Sequence, residues 1–250
     1  MRGALVAIGL LVGCRGGAER VTVAVATAAR GVAPDLETAF EADHAGEVTL
    51  LFGGSGTLAD DVVADRSDID VVLLADRGDI DRLADKRLVV AESRAPVAAT
   101  RLVLVSTRPA PHLNFATLGQ LAGDQSIALG NPEHSAAGVH ASALLRRLGL
   151  WDALRPRTVL GGDVAAALAA VRRGQAQVAI VYETEARGVK DIEVLDRADP
   201  PPVPELWVAV TRHGADRELA ASFASFVRSE TGQRLFREHG FLPPASPSRE

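Results

Sequence analysis

Three short segments join apolar runs to helix-forming stretches through very small residues, and these junctions are where the chain is equipped for chemistry. They are Phe52-Gly53-Gly54-Ser55-Gly56-Thr57, Gly130-Asn131-Pro132-Glu133-His134-Ser135-Ala136-Ala137-Gly138 and Gly161-Gly162-Asp163-Val164. Small residues let a ligand approach the backbone, and the first turn of a helix carries N–H groups that lack an internal acceptor and bear partial positive charge. Several such turns aimed at one cleft make an anion site. Each junction alone is ordinary turn and cap chemistry, because Gly and Ser are common turn and cap residues.

Competing chemistries find little support. His134 and His140, six apart, miss the one-face spacing of helical metal ligands, and no cysteine or second histidine completes a set. The Gly-x-Ser-x-Gly spacing of a nucleophile elbow is incomplete around Ser55. Asp60 and Asp61 are adjacent and cannot share a helical face for acid–base work; with Asp65, Asp68 and Asp70 they read as a solvated face and loop. Asp163 reads as the cap of a helix beginning at Val164, and Asp76 as a residue that orders its own loop. The chain is therefore expected not to be an enzyme, to need no cofactor and to hold no metal cation directly.

The elements that must position these junctions alternate. Short β-branched or apolar runs at residues 21–26, 48–52, 69–74, 101–105, 126–129, 178–182, 192–195 and 206–211 predict strands. Between them, residues 34–42, 57–65, 79–85, 115–121, 137–148, 164–173, 216–228 and 231–239 predict helices. Strand–helix alternation predicts an α/β fold with largely parallel sheets. Two stretches, around residues 98–106 and the proline-rich 199–204, suit crossings between lobes. The expected organisation is one lobe from 20–100 plus 207–243, a second from 101–206, and a disordered tail over 244–250.

With 250 residues, 47% hydrophobic and only 4% aromatic, the chain must build its core from Ala, Val and Leu. A net charge of −5 without a Lys/Arg cluster argues against nucleic acid or an anionic membrane surface as partner. The single cysteine, Cys14, excludes a disulfide framework. Arg2 followed by the apolar run Gly3 to Gly13 and then Cys14 has the layout of a secretory signal, too short to span a bilayer. Leu11-Val12-Gly13-Cys14 resembles the bacterial lipobox, which implies a signal peptide over 1–13, lipidation of Cys14, a tether over 14–20 and work outside the cytoplasm, in the periplasm or at the outer cell surface.

From Val21 to Phe241 the sequence resembles the extracytoplasmic molybdate-binding proteins of ABC importers, the ModA family. The resemblance rests on residues 52–59, on Asn131-Pro132-Glu133-His134 with Ala137-Gly138, on residues 148–156, on Asp163-Val164-Ala165-Ala166-Ala167-Leu168, on Ile180-Val181-Tyr182 and on His239-Gly240-Phe241. It implies a two-lobed periplasmic-binding-protein fold of type II, each lobe a mixed, mostly parallel sheet flanked by helices, with the ligand cleft between. It also implies a monomer that captures molybdate or tungstate and delivers it to membrane permease subunits driven by a cytoplasmic ATPase. Carried over, the oxyanion contacts fall on Ser55, on the backbone N–H groups of Ala137 and Val164, and on the Tyr182 hydroxyl. The family's first-loop serine is replaced here by Ala28, so either the Thr27 hydroxyl or the Ala28 backbone N–H is left to serve. Arg30 is also unusual beside this loop and either faces solvent or leans into the cleft. These departures raise the alternative of a receptor or sensor retuned to another small anion.

Overall fold

Strand β1 (Arg20–Ala26) is an almost uniformly buried run of Val and Ala, which suits a strand covered on both faces. It lies between β2 (Glu47–Gly53) and β3 (Val71–Leu74), parallel to both. The structure is a computed structural model that describes residues 19–66, 68–109, 112–121, 123–199, 204–215 and 217–245. The lipobox, Cys14 and residues 246–250 of the expected tail lie outside the described residues.

The remaining strands are β4 (Ala95–Ala99), β5 (Leu102–Ser106), β6 (Ile127–Gly130), β7 (Thr158–Gly161), β8 (Val178–Tyr182), β9 (Glu193–Arg197) and β10 (Glu205–Val210). They form two five-stranded sheets, in the orders β2-β1-β3-β10-β4 and β7-β6-β8-β5-β9. In each sheet the fourth strand runs antiparallel to both neighbours. The sheets are therefore mixed and mostly parallel, with the same plan used twice. The chain passes between them after β4 and again after β9. The two passages run side by side, since the Thr100 N–H donates to the Pro204 carbonyl and the Ala198 N–H to the Leu102 carbonyl.

Helices α1 (Ala33–Asp43), α2 (Ser55–Val63), α3 (Arg77–Asp85), α8 (Glu218–Phe226) and α9 (Glu230–Glu238) accompany the first sheet. Helices α4 (Ala136–Arg147), α5 (Trp151–Leu154), α6 (Val164–Arg172) and α7 (Glu183–Ala186) accompany the second. Pro34 sits in the first turn of α1, where its missing N–H costs nothing. Phe40, Phe223 and Phe226 pack edge to face between α1 and α8, one of the few aromatic clusters in a core of aliphatic residues.

Three sequence expectations differ from the structure. Residues 115–121 form one 3₁₀ turn, Leu118–Gln120, instead of a helix, because Asn114 and Thr117 side chains take the local backbone N–H groups. Strand β4, which contains Pro96, is not among the expected strands, and only its last two residues fall in the expected crossing over 98–106; it is an edge strand, where proline is tolerated. Asp70 is no part of a solvated acidic loop. It is fully buried, accepts the Thr22 N–H at 2.8 Å and holds the Arg217 guanidinium at 2.9 and 3.0 Å, tying the chain entering α8 to the sheet.

Candidate anion site between the sheets

The three glycine-rich junctions meet. Gly53-Gly54 ends β2 and starts α2, Ser135 starts α4 and Asp163 starts α6, and all three helices open on one small cavity between the two sheets. Thr27, Ala28, Ser55, Ala137, Val164 and Tyr182 all line it, together with Gly54, Ala75, Ser135, Asp163 and Glu185. Its volume of about 20 Å³ is little more than the roughly 10–15 Å³ that one water occupies, which restricts an occupant to a compact ion or molecule of a few atoms.

The capping pattern leaves donors free for that occupant. In α4 the Ser135 hydroxyl accepts the Gly138 N–H, and in α6 the Asp163 carboxylate accepts the Ala166 N–H at 2.9 Å. The N–H groups of Ala136, Ala137, Val164 and Ala165 precede the first intrahelical bond and have no acceptor within their helices. Helix α2 has no side-chain cap, so its first N–H groups, Ser55 included, are in the same position. Among the described residues, no Lys or Arg lines the cavity.

The hydroxyls are not equivalent. Ser55 is buried and its Oγ accepts the Ala75 N–H at 3.0 Å, leaving its own proton to donate. Tyr182 is buried at the end of β8, its Oη 2.7 Å from His140 Nδ1. Burial lowers the His140 pKa, opposed by the Asp76 charge, and burial raises that of Tyr182 well above the ordinary phenol, helped by the charges of Glu185 and Asp76. The Nδ1–H tautomer of His140 would donate to Tyr182 and leave the phenol proton for the cavity, whereas the Nε2–H tautomer would take that proton. His140 is thus a supporting residue that spacing arguments, looking for metal ligands, could not detect.

Thr27 lines the cavity, but its hydroxyl donates to the Gly53 carbonyl at 3.1 Å, so only lone pairs of that oxygen remain. Thr27→Ala is therefore expected to change affinity for an anion by less than about threefold while costing about 1 kcal/mol of stability, measured by titration calorimetry and thermal unfolding. Arg30 does not line this cavity. Its guanidinium lies 4.7 Å over the Phe52 ring and lines an adjoining groove of about 680 Å³. Asp76 caps α3 by accepting the Gly78 N–H at 2.8 Å.

The two sheets are in contact beside the cavity. A Cβ on Gly54 would run into the His134 carbonyl oxygen across the cleft, so the backbones of the first and second junctions approach as closely as glycine allows.

A two-sheet fold with its small-residue junctions around an interlobe cavity is the architecture of a solute-binding protein. The family model for bacterial extracellular solute-binding proteins matches residues 21–242, and the chain belongs to that family. Among curated relatives, the molybdate-binding protein ModA of Escherichia coli is 28% identical over 89% of this chain and 88% of its own. ModA of Haemophilus influenzae is 29% identical over 78% of each. Among solved structures, the periplasmic molybdate-binding protein of Azotobacter vinelandii superposes with a TM-score of 0.78 at 22% identity, covering 90% of this chain and 99% of that one.

Proposed function

We propose that this protein captures a tetrahedral oxyanion, molybdate or tungstate, between its lobes and delivers it to an ABC permease, without catalysis. The observation that carries the reading is the convergence of three helix starts, from both sheets, and two hydroxyls on a cavity of about 20 Å³ with no cationic side chain among its described lining residues. Four tetrahedral oxygens match donors arriving from several directions, and hydrogen bonds to an ionised acceptor are about twice as strong as neutral ones. The donors in this reading are the Ser55 and Tyr182 hydroxyls and the N–H groups of Ala28, Ala137 and Val164. Thr27 shapes the first loop through its bond to Gly53. Such fixed dipoles select by size and by the positions of the donors. The molybdate-binding names of the relatives support the same reading.

The layout of residues 1–20 supports the other half of it: a signal peptide over 1–13, a lipid on Cys14 and a monomeric receptor tethered near its permease outside the cytoplasm. The lobes are taken as 20–100 plus 207–243 and 101–206, each passage being part of the hinge.

Thermal unfolding of the purified protein with molybdate, tungstate, sulfate and phosphate at equal ionic strength tests the reading. Ligand at about a hundred times its Kd adds roughly 2.7 kcal/mol, which raises the midpoint of a chain this size by about 5–10 °C. A shift with molybdate and tungstate alone is expected. A shift confined to sulfate or phosphate favours a retuned receptor, with Ala28 in place of a donor as the cause, and no shift with any of the four removes the oxyanion assignment.

A further inference from the structure

One group in the cavity wall is out of place around a dianion. Glu185, in the short helix α7 that follows Tyr182, lines both the small cavity and the groove beside it. Its Oε2 is shut off from solvent and has no hydrogen-bond partner. Among the described residues no cation lies within 4 Å of the carboxyl. A buried oxygen without a partner is unfavourable, and a bare carboxylate there would repel any anion that entered. The same group as a carboxylic acid is a donor waiting for an acceptor, and a bound oxyanion is the acceptor the cavity can supply.

We propose that Glu185 is part of the anion site as a neutral carboxylic acid, donating its proton to an oxygen of the bound dianion, so that binding takes up a proton wherever the empty site is ionised. The inference rests on the oxyanion reading and extends it to the form of ligand recognised: a fully deprotonated dianion arriving with one proton held by the protein.

The surroundings agree. Burial pushes the Glu185 pKa up to about 8; the Tyr182 backbone N–H opposes this, the Asp163 carboxylate adds to it, and Arg30 over Phe52 opposes it weakly. An anion in the cavity raises it further. Burial lowers the His140 pKa and raises that of Tyr182, while Arg172, Lys190, Asp191 and His239 line the groove on the other side of Glu185. Asp163 keeps its cap bond to Ala166.

The test measures molybdate Kd on the full chain from pH 6.5 to 9.5 at constant ionic strength, in wild type and Glu185→Gln. Proton uptake is counted by calorimetry at pH 8.5 in buffers of different ionisation heat. Wild-type affinity is expected to be level below about pH 7.5 and then to fall toward tenfold per pH unit above about 8, with uptake of up to one proton. Glutamine still donates from its amide but has no proton to lose, so Glu185→Gln is expected to show a level profile and no uptake. A wild-type profile that stays level to pH 9.5, or a Gln variant that keeps the slope, overturns the proposal. Absence of molybdate binding at pH 6.5, where Glu185 holds its proton, overturns the molybdate reading and this proposal with it, whereas binding at pH 6.5 with a level profile overturns this proposal alone.

Discussion

Gly54→Ala weakens anion binding at least about 100-fold and also lowers the melting midpoint, because the new methyl meets backbone across the cleft. The backbone at Gly54, φ −67° and ψ 144°, suits any residue, so alanine brings no local strain. The obstacle lies across the cleft, where the new methyl meets the His134 carbonyl and holds the junction before α2 away from that before α4. An oxyanion bound between them loses donors from one side. Hydrogen bonds to a charged group contribute about 1.5–3 kcal/mol each, so two lost donors are worth at least a hundredfold in Kd. Calorimetric titration of the variant reads the affinity and its melting curve reads the fold. Unchanged affinity would mean that the bound state does not bring these two backbones together.

Asp70→Ala has a different signature, a large loss of stability at a site remote from the ligand. The Asp70 carboxylate is sealed from water, and its removal leaves the Thr22 N–H and the Arg217 guanidinium without their acceptor. Breaking a buried pair costs about 3–5 kcal/mol; since Arg217 is one-third exposed and regains water, about 3 kcal/mol is expected. The midpoint of unfolding should drop by roughly 6–12 °C. Asp68→Ala is the control: that side chain is 91% exposed, and the change should stay within about 0.5 kcal/mol. Equal effects at the two positions would return Asp70 to the solvated cluster that its neighbours in sequence suggest.

The strand and helix periodicity of this chain reads directly because most apolar runs are short and the central strands β1, β3, β5, β6 and β8 are almost wholly buried. Strand β8 occurs over Val178–Tyr182 as its composition predicts, and α6 begins at Val164 behind its Asp163 cap. Those are local facts, set by backbone sterics, cap hydrogen bonds and hydrophobic spacing within about ten residues. Strand β7 escaped the same reading because Thr158–Gly161 is four residues long and only half-buried at an edge, giving no alternation to detect. The small-residue junctions are equally local, and for that reason they are legible before any fold is known.

What the amino-acid sequence alone determined was therefore the α/β class, the Asp163 cap and the small-residue junctions at the helix starts. Which donors remain free was decided only in three dimensions. The Thr27 hydroxyl is taken up by Gly53, 26 residues away, and the Tyr182 hydroxyl pairs with His140, 42 residues away. Glu185 carries no signal in the sequence and becomes an acid with one partnerless oxygen because α7 turns it into the cleft. Asp70 reads as a loop aspartate and becomes a buried anchor because Arg217, 147 residues on, reaches it. The division has one physical cause. Backbone conformation is set mostly by neighbours along the chain, whereas the state of a proton or the partner of a buried charge depends on which distant groups exclude water from it.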